Sequence, residues 1–179
     1  MRLNTWTMNI FRRVRRPQAR RLILEQVEAR RVLSGLSVFD SDYWHQDVVN
    51  VEDVSEIGDL FGAAVATGDF DGDDFLDLAI GVPGENGGGA VNILYGSAGR
   101  LDAEGGQFWT EDNLLLASDP SEFALTGFAL ATGDFDDNGI DDLAIGIPGA
   151  TIEGAVGAGA VTMLYGERGT GLVNNNDLW

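Results

Sequence analysis

Aspartates alternate with other residues in two short stretches of this 179-residue chain, and that spacing can do chemistry. The first stretch reads Asp69-Phe70-Asp71-Gly72-Asp73-Asp74-Phe75-Leu76-Asp77, and the second Asp134-Phe135-Asp136-Asp137-Asn138-Gly139-Ile140-Asp141-Asp142. A carboxylate or amide at positions 1, 3, 5 and 9 directs hard oxygen ligands toward one small sphere, as calcium requires. The expected ligands of site one are the side chains of Asp69, Asp71, Asp73 and Asp77, with the carbonyl of Phe75. Those of site two are Asp134, Asp136, Asn138 and Asp142, with the carbonyl of Ile140. Gly139 takes the sharp-turn position. Asp74 stands there in the first stretch, where a positive φ carries some cost. Ile80 and Ile145 occupy position 12, where an EF-hand needs a bidentate glutamate, so an EF-hand is excluded. Carboxylates this close resist joint ionisation unless a cation lies among them. The competing reading is a pair of solvated Asp/Gly turns; preservation of four positions in two copies favours the metal.

The elements that would hold these loops repeat with them. Thr67 to Gly84 matches Thr132 to Gly149 at an offset of 65, and Trp44, Trp109 and Trp179 open equivalent units. Ala90-Val91-Asn92-Ile93-Leu94-Tyr95-Gly96 matches Ala160 to Gly166 at an offset of 70, so five extra residues fall in the glycine-rich turn from Gly149 to Gly159. Short runs rich in β-branched and aromatic residues, bounded by Gly, Asp, Asn or Pro, predict strands over 42–44, 63–67, 78–82, 91–95 and 107–109. Four strands per unit of this length suit a propeller blade. The expectation is an all-β, partial β-propeller of about two four-stranded blades (units 44–108 and 109–178, within a repeat region 36–179). A short helical or disordered segment over 1–35 precedes it.

Phe61-Gly62, the Asp-x-Asp-x-Asp-x-x-x-Asp loop and Gly81-Val82-Pro83 together resemble the FG-GAP repeat of integrin alpha-chain propellers, with Gly146-Ile147-Pro148 as the second copy. Thr126 replaces the phenylalanine of the second Phe-Gly pair. The resemblance implies calcium in the loop between two strands of a blade and a face that binds protein partners. It implies a calcium-binding segment of a secreted or cell-surface protein, used in adhesion or protein–protein interaction. The alternative is the accessory propeller of a secreted, phospholipase-like hydrolase whose catalytic domain is not in this chain.

Charge and composition narrow the field. Nine of eleven basic residues are arginines within Met1–Arg31, which also holds Glu25 and Glu28, giving +7 there and −25 over the rest. So acidic a body repels phosphate backbones, which disfavours a nucleic-acid partner. The 25 glycines are about double the usual ~7% and fit many tight turns. His45 is the only histidine, no nucleophile motif lies near it, and there is no cysteine, so neither a catalytic triad nor zinc is expected. Asp141 is expected to be a solvated carboxylate, and the repeating tryptophans to pack between units.

The arginines are not followed by the apolar stretch of a secretory signal, and the twin arginines lack the hydrophobic run of a Tat signal. Glu28-Ala29-Arg30-Arg31-Val32-Leu33 resembles the Glu-Pro-Arg-x-Leu-Leu motif of large bacterial surface proteins. Ala29 and Val32 depart from it. Nothing approaches the length of a membrane span. Two units do not close a ring, so a truncated product or a piece that pairs with other chains is expected, with self-association through exposed blade edges.

Overall fold

A computed structural model describes residues 42–114, 118–119 and 123–174. The expectations for the basic segment 1–35, its resemblance to a bacterial surface-protein motif and Trp179 lie outside the described residues. Strands β1 (Ala64–Gly68), β2 (Asp77–Val82), β3 (Ala90–Tyr95) and β4 (Asp102–Thr110) form one antiparallel meander in the order β1-β2-β3-β4. The second sheet repeats the plan with β6 (Ala129–Gly133), β7 (Asp142–Ile147), β9 (Ala160–Glu167) and β10 (Gly171–Val173). Register repeats as well: Thr67 faces Leu78 in β1/β2, and Thr132 faces Leu143 in β6/β7. The chain is all-β, with two four-stranded sheets arranged as consecutive propeller blades; a 3-10 turn at Glu85–Gly87 is the sole helical element among the described residues.

Two local expectations are corrected. Residues 42–44 are irregular, although their counterparts 107–109 lie in β4. The difference is a partner: β4 is a strand because it pairs with β3, Val91 opposite Trp109, and an isolated strand has nothing to satisfy its amides. The five-residue insertion is more than a turn. Its β-branched pair forms β8 (Thr151–Ile152), which pairs with β5 (Ser118–Asp119) as a small ribbon outside the blades.

Alternation along the strands decides which sheet face meets what. Ala66, Ala79, Val91 and Ile93 of the first blade pack into one core with Leu130, Leu143, Ile145 and Ile147 of the second. Leu114 and Ala124, from the segment that leads into β6, fill the same core, and Trp109 packs against it. The opposite face of the first blade presents Leu78, Ile80 and Leu94 to Trp44, Val48, Val51 and Phe61. Each unit thus supplies a lead-in segment that covers the leucine and isoleucine face of its own sheet, Leu78 and Ile80 in the first and Leu143 and Ile145 in the second. Trp109 accordingly lies between the blades, whereas Trp44 covers the first blade alone.

The blades approach closely where side chains are smallest. A Cβ added to Gly81 of β2 would lie 2.0 Å from the carbonyl oxygen of Gly127. Gly146, its counterpart in β7, has as its nearest neighbour the Ala129 Cβ, at 3.2 Å from such an atom. Gly81→Ala must therefore push the two blades apart, whereas Gly146→Ala needs only a small shift of an exposed strand. The expected outcome is a loss of more than about 2 kcal/mol for Gly81→Ala and less than about 1 kcal/mol for Gly146→Ala. Urea denaturation midpoints check both.

Candidate metal centres

Both aspartate loops are built from their own backbone. In the first, Asp69 accepts hydrogen bonds from the amides of Gly72 and Asp73 at Oδ1 and from Asp74 at Oδ2 (2.8, 3.0 and 2.9 Å). Asp134 repeats this with Asn138 at 3.0 Å and Gly139 at 2.9 Å. Wrapping a chain around one carboxylate requires left-handed backbone at positions 4 and 6. Gly72 (φ 71°) and Asp74 (φ 71°) supply it in loop one, Asp137 (φ 62°) and Gly139 (φ 83°) in loop two. Each loop places one glycine and one aspartate there in exchanged order, which agrees with the tolerance of Asp for this region. Position 6 was legible in the sequence. Position 4 escaped notice although the same signal marked it.

Position 9 carries the most buried carboxylate. Asp77, at the start of β2, accepts from the amide of Phe70 at 2.7 Å and of Gly96 at 2.8 Å. Asp142 accepts from Phe135 at 2.7 Å and Gly166 at 2.8 Å. Each therefore ties the start of its loop to a glycine at the C-terminal end of the third strand, Gly96 just past β3 and Gly166 in the last residues of β9. Burial pushes Asp77 up to about 6, and Asp71 and Asp69 nearby add to the rise. Asp142 is raised for the same main reason. Asp71 is raised by burial and by the charge of Asp73.

Each folded loop gathers three of its expected carboxylates. One carboxylate oxygen each from Asp69, Asp71 and Asp77 lies within 4.8 Å of the others, and the same holds for Asp134, Asp136 and Asp142. Oxygens 2.3–2.6 Å from one calcium ion are up to about 5 Å apart, so positions 1, 3 and 9 fit that sphere. Asp73, at position 5, stands outside the first trio, and both position-5 side chains cap a backbone amide of their own loop. Asp73 Oδ1 accepts from the Phe75 amide at 2.8 Å, and Asn138 Oδ1 from the Ile140 amide at 2.7 Å. Asn138 Nδ2 donates to Asp136 Oδ2 at 3.1 Å and to the Gly166 carbonyl at 3.2 Å.

The second blade closes over the first loop. Asp69 N donates to Asp141 Oδ2 at 3.0 Å, Asp141 N to the Asp69 carbonyl at 2.9 Å, and Gly169 N to the Asp71 carbonyl at 2.7 Å. The Arg168 guanidinium donates to the Gly72 carbonyl. Asp141 is therefore not the solvated carboxylate that the sequence suggested, but a clasp between blades. Nothing in its sequence position distinguishes the two roles.

A third acidic group, Glu56, Asp59 and Glu85, has no local pattern in the sequence because Glu85 lies 26 residues beyond Asp59, on a different turn. Glu85 and Asp59 are buried, and Gln46 and Asn86 donate to the two oxygens of Glu85. Asp59 Oδ2 accepts from the Glu56 amide at 2.5 Å. Burial pushes Glu85 up to about 7, opposed by the Gln46 hydrogen bond and reinforced by Asp53 and Asp59. The second blade has Ala124 and Ala150, both fully buried, where the first has Asp59 and Glu85. The acidic pair is thus a feature of one blade rather than of the repeat. His45 Nδ1 lies 3.8 Å from Asp47 Oδ2 at the surface.

Comparison with known proteins places these loops in a family context. A family model described as FG-GAP repeat matches residues 61–94 and 126–164, each spanning a lead-in Phe-Gly or Thr-Gly pair, an aspartate loop and two further strands. The chain is 36% identical over 107 residues to integrin alpha-PS2 of Drosophila melanogaster, covering 58% of this chain and 7% of that protein. It is 34% identical over 100 residues to integrin alpha-3 of Cricetulus griseus and of Mus musculus, covering 52% of this chain and 9% of each. The chain thus spans less than a tenth of the curated relatives it matches. The FG-GAP and integrin-like resemblance read from the sequence is supported over the two blades. No helix among the described residues is long and apolar enough to cross a membrane.

The buried Glu85 makes stability pH-dependent in a definite direction. Its folded value, about 7, lies above the ordinary 4.5, so its protonated form favours folding. That contribution is present below pH 4.5 and is lost as the pH rises through about 7. Glu85→Gln keeps the shape and removes the buried charge. At pH 8 it is expected to be more stable than the parent by on the order of 2 kcal/mol, the gap closing below pH 4.5. Thermal unfolding across pH checks the crossover.

Proposed function

We propose that this chain, a carrier of two FG-GAP repeats, is a calcium-ordered pair of propeller blades that serves protein–protein interaction in a secreted or cell-surface protein. The observation that carries the reading is the double convergence of carboxylates at positions 1, 3 and 9, one of them buried and raised to about 6 at the first site. Such a trio holds more negative charge than two backbone hydrogen bonds per buried aspartate offset, and a divalent cation removes the excess. The ligand set is Asp69, Asp71 and Asp77 at site one and Asp134, Asp136 and Asp142 at site two. Asp73 and Asn138 complete the spheres after turning from the amides they now cap, with the Phe75 and Ile140 carbonyls at position 7. Calcium, when bound, supplies charge neutralisation and loop order.

Magnitudes put the metal in its place. At a dissociation constant of about 0.1–1 mM in roughly 1 mM calcium, each site contributes about 0.4–1.4 kcal/mol. A single fully buried Leu or Ile contributes about 1.5–3 kcal/mol. The core therefore holds the blades together, and calcium sets the shape and charge of the loops. A rigid sheet whose loops are ordered by an ion presents a fixed surface to a protein partner, which fits adhesion better than turnover. No observation favours the accessory-propeller alternative.

Two measurements test this. Addition of about 1 mM calcium to chelator-treated protein is expected to raise the melting temperature by a few degrees, and an Asp69→Ala, Asp134→Ala double variant to show no rise. No response in the parent would remove the metal from the reading. Calcium must also displace the proton of Asp77, so calorimetric affinity at site one, read in the Asp134→Ala background, is expected to weaken as pH falls through about 6. A pH-independent affinity between pH 5 and 7 would exclude Asp77 as a ligand.

A further inference from the structure

The interface between the two blades joins two unlike surfaces, and the positions that build each of them recur, with exposed side chains, on the far face of the other blade. The first blade contributes Phe70, Ala79, Val91 and Ile93, which are at most 1% exposed. Their counterparts in the second blade are Phe135, Ala144, Val161 and Met163. Of these, Phe135 is 54% exposed and Val161 is 69% exposed. In the second blade Leu114 is buried in the shared core, Leu125 is half-buried next to Thr126, whose amide donates to the Gly88 carbonyl, Leu130 packs on the core, and Ile140 is buried against Gly72. Their counterparts in the first blade are Val49, Leu60, Val65 and Phe75, at 80%, 64%, 63% and 41% exposed. A tail surface on the second blade and a head surface on the first blade are thus made from the same register positions as the contact already formed between them.

We propose that the chain associates head-to-tail with further copies of itself, the Val49, Leu60 and Val65 surface of one copy covering the Phe135 and Val161 surface of the next. A contact between unlike patches is heterologous and propagates rather than closing on a two-fold axis. Polar complementarity survives in part. Thr132 Oγ1 donates to the Thr67 carbonyl within the chain at 2.9 Å, and Thr67, its counterpart at the head, offers the same hydroxyl to the next copy. Leu76 and Ala98 stand at the head where Asp141 and Arg168 stand within the chain, so their two cross-blade clasps are not reproduced. The contact between copies is therefore weaker than the internal one. The net charge of −18 opposes it further, and salt screens that term. This differs from edge-to-edge strand pairing, which would use the backbone of outer strands and leave both apolar faces bare.

Sedimentation velocity of the full chain from about 1 to about 200 µM in about 0.15 M salt tests the proposal, with Debye screening near 8 Å. The parent is expected to grow in mass with concentration. Leu60→Asp at the head and Val161→Asp at the tail should each sediment as monomers with unchanged melting, since both positions are exposed and Asp tolerates the φ of 59° at Leu60. An equimolar mixture of the two variants should give a dimer and nothing larger, because each retains one intact surface. A parent that stays monomeric throughout, a mixture that stays monomeric, or association that persists in either single variant would overturn the proposal.

Discussion

A buried carboxylate that accepts two backbone amides is the constraint on which each blade depends. Asp77 and Asp142 sit at the first residue of β2 and β7 and pin both the head of their loop and a glycine at the C-terminal end of the neighbouring strand. Without that tie, the loop between the first two strands has no fixed path. The same carboxylate then faces the aspartates at positions 1 and 3. Closing the loop and concentrating negative charge are thus one act, and the arrangement creates its own demand for a cation.

Because the tie is local, it acts twice with little change. What differs between the copies is what covers them. Loop one lies beneath Asp141, Gly169 and Arg168 of the second blade, while Asp134 and Asp136 of loop two are open to solvent. Burial raises both Asp77, to about 6, and Asp142, so the neighbours change the cover over the loop and not the direction of that shift. The buried Glu85 and Asp59, replaced by alanines in the second blade, distinguish the copies in the core.

Propeller blades pack through unlike faces, one from a sheet and one from a lead-in segment with the sheet it covers. Small residues at the contact let backbones approach: Gly81 lies against the Gly127 carbonyl, with alanines on β1 and β6 alongside. Leucine and isoleucine fill the rest of the core. Such packing is directional, so a pair of blades has a beginning and an end with different chemistry.

The sequence by itself determined the repeat and the strand content, and it marked the aspartates at positions 1, 3 and 9 whose carboxylates the fold brings together. These follow from short-range rules, because β-branched runs and turn residues act within a few positions of the backbone. Tertiary structure alone decided four matters. Residues 42–44 are not a strand, because strands exist by pairing and no strand lies beside them among the described residues. Asp141 is a clasp and Asp73 a backbone cap, because the partner amides arrive from the other blade or from the folded loop. The insertion at 151–152 is a ribbon because residues 118–119 lie beside it. The trio of Glu56, Asp59 and Glu85 exists because two turns meet, and proximity across such distances in the chain leaves no local pattern to read.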